Sequence, residues 1–470
     1  MDGWMNREKH QRSNMSQSQK TFQSPTISFM KLFQSIIWMM VVLGNQMMIM
    51  TSAFVTYPRS WKMTTTANGQ NYRDSEFRMD GIRSSKCASA MALSLSHQSD
   101  MDVPPLSGLH NGSSKVLPRR VISKMERFSR LPVWPVWQGL LLFLCSRIFG
   151  EEVADKLEHE IGGRVCPNFF AENSVSPFIM LVHHRHRFYS WDVLGHVIDK
   201  FIFPEGFPAH PHRGFITVTY CMQGGMIHRD SLGVKQVYGA NSEGKQDVQW
   251  LTTGSGMLHE EMWNMKPLND NPWKLYEEQE LYQLWLNVPA EEKLCAPKVE
   301  LLGADEMPII VSSEGKCTTK VIAGTYQDKE ASVEISSSLN IFHVQMEPSS
   351  SWCFPLPDDH ATGIIYMRTG SISVGDKQVP PHYTAYLEST GKDLIVENKS
   401  KMDKTDFLFL SGAPLREPVA ARGSMVMNNA REVEEAYRDY QEGKMGIPWN
   451  HVLDNDQWKK HVKEYPSSYK

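Results

Sequence analysis

The sequence has 470 residues with 41% hydrophobic and 10% aromatic content, enough to bury one or two cores. Its net charge of −4 is uneven: residues 1–130 carry 17 basic against 8 acidic side chains, and the remainder carries 32 against 45. Because the larger part is acidic, no direct nucleic-acid binding is expected. Seven scattered cysteines without a C-x-x-C pair exclude a disulfide framework and favour a reducing compartment.

Residues 1–130 are predicted to be a targeting or disordered extension. The first thirty are polar, and the uncharged run at 32–55, preceded by Lys31, is long enough to span a bilayer. Residues 55–130 are rich in Ser and Thr, basic and poor in acids, as transit peptides tend to be. The extension is therefore expected to direct the protein to a cellular compartment.

The apolar run also fits the core of a signal peptide if translation starts at Met30 instead of Met1. At its end, Phe54 follows Thr-Ser-Ala, which is similar to the cleavage motif of bipartite plastid presequences. These features predict import into a plastid. The alternatives are a membrane anchor, with membrane contact through 32–55, and a mis-assigned start with a cytoplasmic or nuclear protein.

Residues 131–163 are predicted to be a linker with an amphipathic helix. The apolar run Leu140–Leu144 is too short to cross a membrane, and it leads into the helical pattern Glu151–Leu157. We expect this helix to pack on the fold or at an interface.

From residue 164 onward the chain alternates short β-branched and aromatic runs with turn residues, which predicts an all-β fold. Two strand-rich units are expected, at 164–300 and 320–427, joined by a linker. Residues 428–470 are expected to be a tail whose helix begins with an Asn cap near 428 and ends near 443.

Two short motifs place potential metal ligands two residues apart: His210 with His212, and His259 with Glu261. In a strand, residues i and i+2 share a face about 6–7 Å apart, whereas in a helix they point apart. Glycines and prolines flank both motifs, and strand-like runs adjoin them. Two such strands facing each other could direct three imidazoles and one carboxylate at a transition metal.

The residues around these motifs resemble the pirin branch of the cupin superfamily. The resembling stretches are HPHRGF-x-TVTY from His210, His228-x-Asp230, VQWLT-x-G-x-G-M-x-H-x-E-M from Val248, GAPLREP from Gly412 and MVMN from Met425. They keep the family's order and spacing from about residue 165 to about residue 446.

The resemblance implies a bicupin, in which two tandem antiparallel β-barrels of jelly-roll type follow each other and the N-terminal one holds the metal. It implies that His210, His212, His259 and Glu261 bind one transition metal ion. Family members hold iron there, and Mn, Ni, Co, Cu and Zn stay open for this chain. Several members are quercetinases that use dioxygen to open the central ring of a flavonol, and others are described as nuclear co-regulators.

Two departures from the family pattern bear on the pocket. Ile216 stands four residues after His212, where the general cupin pattern and most pirins place Glu. If Glu261 is the carboxylate ligand, as the resemblance implies, the site is kept; if the missing acid normally tunes the pocket, the substrate range is expected to differ. An insertion from Val182 to Phe203 precedes the first motif and is expected to border the pocket mouth.

Other polar residues have competing interpretations. His228, Asp230 and Gln249 are candidates to orient the imidazoles, although His228 and Asp230 equally fit a hairpin turn. The cluster His183–Arg187 is expected to be a solvated loop rather than a metal patch. Three histidines of the second unit lack ligand spacing and are expected to be surface or packed residues: His343, His360 and His382.

Two classes of function follow from this sequence. The first is an iron-dependent dioxygenase of the quercetin 2,3-dioxygenase kind, with a small aromatic substrate and dioxygen as partners and Glu261 as proton acceptor. The second is a non-enzymatic regulator or transcription cofactor whose surface responds to the redox state of the metal. The sequence leaves the physiological substrate and the oligomeric state open.

The targeting hypothesis predicts that a fluorescent protein fused after residues 30–130 enters the plastid, as seen by microscopy. Phe54→Ala should divert the fusion, because the residue after the apolar run carries the cleavage signal. A wild-type fusion that stays in the cytosol or nucleus would contradict this.

Overall fold

The computed structural model describes residues 119–469, except 129, 132–136, 171–173, 190–205, 240–245 and 265–274. They belong to one unit of the chain, 114–470. The apolar run 32–55 and Phe54 lie outside the described residues. Among the helices that are described, none is long and apolar enough to cross a membrane.

The N-terminal cupin unit consists of two facing antiparallel sheets. The first sheet has six strands: β2 (Arg164–Phe169), β3 (Phe178–Tyr189), β5 (Phe215–Gln223), β8 (Val248–Thr252), β10 (Leu275–Asn287) and β11 (Lys298–Leu302). The second has four: β4 (Gly206–His212), β6 (Gly225–Asp230), β7 (Lys235–Gly239) and β9 (Met257–Trp263). The six-stranded sheet has the order β11-β8-β5-β10-β3-β2, and the four-stranded sheet has the order β4-β9-β6-β7.

The C-terminal cupin unit repeats this plan with a seven-stranded and a four-stranded sheet. The seven-stranded sheet contains β1 (Ile122–Arg127), β12 (Ile309–Val311), β13 (Cys317–Ala323), β16 (Leu339–Met346), β18 (Thr362–Thr369), β21 (Tyr383–Leu387) and β23 (Thr405–Gly412). The other contains β17 (Ser350–Pro355), β19 (Ile372–Val374), β20 (Lys377–Val379) and β22 (Asp393–Asn398). Two small hairpins complete the strands: β14 (Thr325–Tyr326) with β15 (Lys329–Glu330), and β24 (Ala420–Arg422) with β25 (Met425–Met427).

The strand periodicity explains how the two units stack. In β23, Phe407 and Phe409 pack into the core of the C-terminal unit, while Leu408 and Leu410 pack into a second core. That second core also takes Val218 from the six-stranded sheet. Because successive side chains of a strand point to opposite faces, both large sheets are covered on both sides. The fold is therefore a jelly-roll-like bicupin of paired sheets, and the all-β prediction is confirmed.

Four helices flank these sheets: α1 (Trp137–Phe149), α2 (Glu151–Ile161), α3 (Ala430–Gln441) and α4 (Asn455–Glu464). The side chain of Asn429 accepts the Glu432 amide at 3.0 Å, so α3 begins at the predicted Asn cap. The predicted single helix in 131–163 is instead two helices separated by Gly150, whose positive φ breaks the first from the second.

Two boundary predictions are wrong. The extension was expected to reach residue 130, but Ile122–Arg127 form β1, which pairs with β21. The stretch between the two units was expected to be a linker, but Lys298–Leu302 pair with β8 and Ile309–Val311 pair with β13. In both cases the strand is short and half exposed, so its apolar pattern is weak.

A buried polar network crosses the layer between the two large sheets. Arg368 of β18 donates to Glu280 of β10 at 2.6 Å and to Asp406 of β23 at 3.1 Å. Asp406 also accepts from His343 at 2.9 Å and from Gln345 at 3.1 Å. Burial alone would raise the pKa of Asp406, but His343 and Arg368 hold that pKa at about 2.

Replacing Asp406 with Asn should lower the free energy of unfolding by about 3 kcal/mol at neutral pH, because Arg368 loses a buried partner. The folded-state pKa of Asp406 lies below its unfolded value of about 4, so its contribution to the free energy of unfolding is present above that value and is lost as pH falls towards about 2. Urea unfolding across this window should show the gap between wild type and variant closing. Lys404→Met, which removes an exposed ion pair, is the control; a gap that stays constant would contradict the assignment.

Candidate metal centre

Pairing of β4 with β9 brings three imidazoles to one point. The two strands are antiparallel, with His210 directly opposite His259 and His212 two residues along the same face. The Nε2 atom of His210 lies 2.9 Å from Nε2 of His212 and 3.2 Å from Nε2 of His259. Two nitrogen ligands at right angles around a metal, each ~2.1 Å from it, are separated by about 3 Å. The three nitrogens therefore fit one face of a metal ion.

The surroundings keep these imidazoles neutral and oriented. His212 and His259 are buried, and burial together with the neighbouring imidazoles holds the pKa of both well below the usual range. Burial also lowers the pKa of His210, whose Nδ1–H donates to the Pro208 carbonyl at 2.8 Å. That bond fixes the tautomer with a free Nε2 lone pair, the form that binds a metal.

Glu261 lies in the same sheet but apart from the three imidazoles. One carboxylate oxygen accepts from Thr219 at 3.2 Å and from Tyr238 at 3.4 Å, and the other accepts from Gln283 at 2.9 Å. The three histidine nitrogens lie within 4.8 Å of one another, and no Glu261 oxygen belongs to that set. The structure thus assembles three of the four predicted ligands and holds the carboxylate two residues further along β9.

Among the predicted orienting residues, Asp230 serves the turn and the histidine at once. Its Oδ2 lies 3.0 Å from Nε2 of His228, whose ring centroid is 5.4 Å from that of His259. Its Oδ1 accepts the backbone amides of Leu232 and Val234, both at 2.9 Å. The turn interpretation is confirmed, and orientation of the metal-binding imidazoles by this pair stays a prediction.

Gln249 does not approach the imidazoles in this way. Its amide donates to Gln236 at 2.6 Å and so ties the six-stranded sheet to β7. Sequence reasoning instead missed Thr219, Gln283 and Tyr238 around Glu261. The alternation of β5 would have indicated that Thr219 faces the interior, whereas no motif in the sequence marks Gln283 or Tyr238 as neighbours of Glu261.

The His183–Arg187 stretch is not a solvated loop, so that prediction is wrong. These residues belong to β3, in the six-stranded sheet, and three of the histidines are buried. His183 faces the C-terminal unit, where one ring nitrogen contacts Tyr366 of β18 at 2.9 Å; the other contacts Glu280 of the neighbouring strand β10 at 2.8 Å. The composition of this stretch is polar, but β3 pairs with β2 on one side and with β10 on the other, so the stretch lies inside the six-stranded sheet.

The C-terminal segment, residues 420–469, is fastened to the strands that carry the imidazoles. Arg213, next to His212, donates to Asp439 at 2.9 Å and to Tyr469 at 2.8 Å. Arg229 pairs with Glu260, next to His259, and donates to the Leu453 carbonyl at 2.7 Å. Trp458 and Met425 pack against Leu258 of β9 in the same cluster.

Histidines of the C-terminal unit have packing roles. His343 contacts Tyr220 and Asp406, both at 2.9 Å, and His360 contacts Ser338 and Ser411, both at 2.9 Å. His382 is half-buried, and partial burial holds its pKa well below the usual range. In the part of the chain that the structure describes, a cluster with metal-ligand spacing occurs at His210, His212 and His259. A metal-free C-terminal unit stays a prediction.

Two stacked jelly-roll units, with a three-histidine cluster in the first, define a bicupin of the metal-binding type. Family models agree: "Pirin" matches residues 162–286 and "Pirin C-terminal cupin domain" matches residues 341–446. The chain is 34% identical to human pirin over 249 residues, which cover 52% of this chain and 79% of the human protein. The chain belongs to the pirin family.

Two further comparisons extend this result. A protein of Thermoplasma acidophilum named putative quercetin 2,3-dioxygenase is 31% identical over 254 residues, 52% of this chain and 93% of that protein. A crystal structure of quercetin 2,3-dioxygenase from Acinetobacter baumannii superposes with a TM-score of 0.54 at 25% identity. It covers 70% of this chain and 99% of the bacterial chain.

Replacing His212 and His259 together with Ala should abolish stoichiometric metal, about one ion per chain in wild type, because two of three nitrogens are lost. Metal content is measured by elemental analysis and folding by circular dichroism. His159→Ala, an exposed imidazole on α2, is the control. Full metal retention in the double variant would contradict the assignment. A well-occupied second metal near His343 or His382 in anomalous scattering would instead contradict the prediction that the C-terminal unit is metal-free.

Proposed function

We propose that this protein is an iron-dependent dioxygenase that acts on flavonol-like phenols. The observation that carries the proposal is the convergence of three neutral imidazoles on one point, two of them buried and one half-buried, which leaves other metal positions free for substrate and dioxygen. The names of the Thermoplasma and Acinetobacter relatives add support, because both are called quercetin 2,3-dioxygenases.

The residues around the cluster have separate tasks in this proposal. His210, His212 and His259 would hold the metal, which when bound supplies Lewis-acid and redox chemistry towards a chelating phenol and dioxygen. Glu261 accepts the proton of the substrate hydroxyl as the phenol binds. Thr219, with Tyr238 and Gln283, positions that carboxylate.

The pocket wall also protects the chemistry from water. Trp285 and Phe215 pack against the His212 ring, with centroids at 5.6 Å and 5.2 Å. Burial raises the pKa of Tyr238 well above its usual range, so its hydroxyl stays a neutral donor towards Glu261. A site of this kind keeps the carboxylate oriented and competing water excluded.

Iron is the proposed metal because family members hold it, but three imidazoles also suit Mn, Ni, Co, Cu and Zn. The second candidate function is a redox-sensing regulator. It is favoured by the attachment of the C-terminal segment through Arg213 and Arg229, which adjoin the strands of the ligands. A change in the redox state of the metal would then alter the conformation of residues 420–469 at the protein surface.

The metal-loaded full chain should consume oxygen when given a flavonol panel, as measured with an oxygen electrode and by loss of flavonol absorbance. Glu261→Gln should retain metal yet lower kcat by roughly 100-fold or more, because a general base is lost. Exposed Glu160→Gln is the control. If the loaded wild-type chain consumes no oxygen with any flavonol, the enzymatic proposal falls and the regulator is favoured.

A further inference from the structure

The interior of the N-terminal unit holds a second pair of histidines with the same i, i+2 spacing. His184 and His186 follow each other on one face of β3, with 7% and 3% of their surface exposed. Their ring centroids are 5.9 Å apart. His183, which precedes His184, points the other way and contacts Tyr366 of the C-terminal unit.

Aromatic rings from the opposite sheet surround this pair. The His184 ring lies 5.5 Å from Phe207 of β4, and the His186 ring lies 5.3 Å from Trp263 of β9. Phe207 and Trp263 therefore sit on the two strands that also carry the metal-binding imidazoles. Trp263 is four residues from His259 on the same face, about 13 Å along the strand. The histidine pair and the metal cluster thus line one interior.

The hydrogen bonds of these rings differ from those of His183 and His360. Both ring nitrogens of His183 have partners, and His360 bonds to two serines. In contrast, the buried Nδ1 atoms of His184 and His186 have no partner, which is also true of His228, of His382 and of the cluster members His212 and His259. An unsatisfied buried polar atom lowers the free energy of unfolding by about 1–3 kcal/mol. A pair with a purely structural role would therefore destabilise the fold.

The protonation state defines what such a pair can bind. Burial and the neighbouring imidazoles hold the pKa of His184 well below its usual range, and burial lowers the pKa of His186 to about 4. Both rings are therefore neutral at neutral pH, and each offers one N–H donor and one acceptor. Neutral groups of this kind suit a phenol hydroxyl, which itself donates and accepts, better than a carboxylate or a cation.

We propose that His184 and His186 form a recognition site for a hydroxylated aromatic ring, at the end of the interior away from the metal cluster. Ring hydroxyls bond to the two imidazoles, and Phe207 and Trp263 contact the ring itself. This inference rests on the proposed function and names the part of the substrate that the chain selects. The preferred substrates are then polyphenols with hydroxyls distant from the chelating end.

Two flavonols with the same chelating end separate this site from the metal centre. Quercetin carries additional ring hydroxyls that 3-hydroxyflavone lacks. Binding of each to the metal-loaded full chain is measured by calorimetry without oxygen, so that no turnover occurs. The double variant His184→Phe, His186→Phe should weaken quercetin binding about tenfold, the loss of one or two hydrogen bonds, and leave 3-hydroxyflavone binding within about twofold.

Two controls keep the result interpretable. Metal content must stay at the wild-type level in the variant, because the pair is not part of the cluster. The variant His184→Gln, His186→Gln keeps donors and acceptors, so it should recover part of the preference for quercetin even if the Phe variant folds poorly.

The outcomes separate this inference from the proposed function. If wild type binds both flavonols and the Phe variant changes both equally or neither, the recognition site is wrong while the proposed function stands. If metal-loaded wild type binds neither flavonol, both fall. Loss of a second equivalent of metal in the variant would also overturn the inference, because the pair would then be a metal site.

Discussion

The antiparallel register between β4 and β9 is the constraint on which the candidate site depends. It places His210 opposite His259, and the two-residue period of each strand adds His212 on the same face. A shift of β4 by one residue would turn His210 and His212 to the outer face of the sheet, away from His259. The register is secured from outside, where Leu258 of β9 packs with Trp458 and Met425 of the C-terminal segment. The centre is therefore built by backbone pairing and held by packing remote from it in sequence.

The two units contribute differently to this arrangement. The six-stranded sheet supplies one wall of the interior with Thr219 and Gln283, and its other face rests on the C-terminal unit. Between the large sheets, Arg368 joins Glu280 to Asp406. Because buried ion pairs need partners in fixed places, this layer limits sliding of one unit over the other. The C-terminal unit thus supports the six-stranded sheet, whose other face is turned towards the metal cluster.

A feature could be predicted from the sequence when it depends on residues that are close together along the chain. The strand period and the H-x-H spacing are local, so they predicted the all-β fold and the convergence of His210, His212 and His259. The position of Glu261 depends on a register irregularity between Phe207 and His210 and on three donors from other strands. The burial of His184 and His186 depends on covering strands, whereas their composition resembles that of an exposed loop.

β1 has a consequence for the solubility of the molecule. The seven-stranded sheet would otherwise end at β21, whose backbone groups are the kind of open edge that pairs with other chains. Ile122, from β1, also fills part of the C-terminal core. β1 itself turns Lys124 and Glu126 outward, and charged side chains discourage further strand addition. A chain trimmed to the family boundary near residue 162 would lose β1 and expose the edge of β21. It would tend towards edge-to-edge aggregation, although every metal ligand would remain.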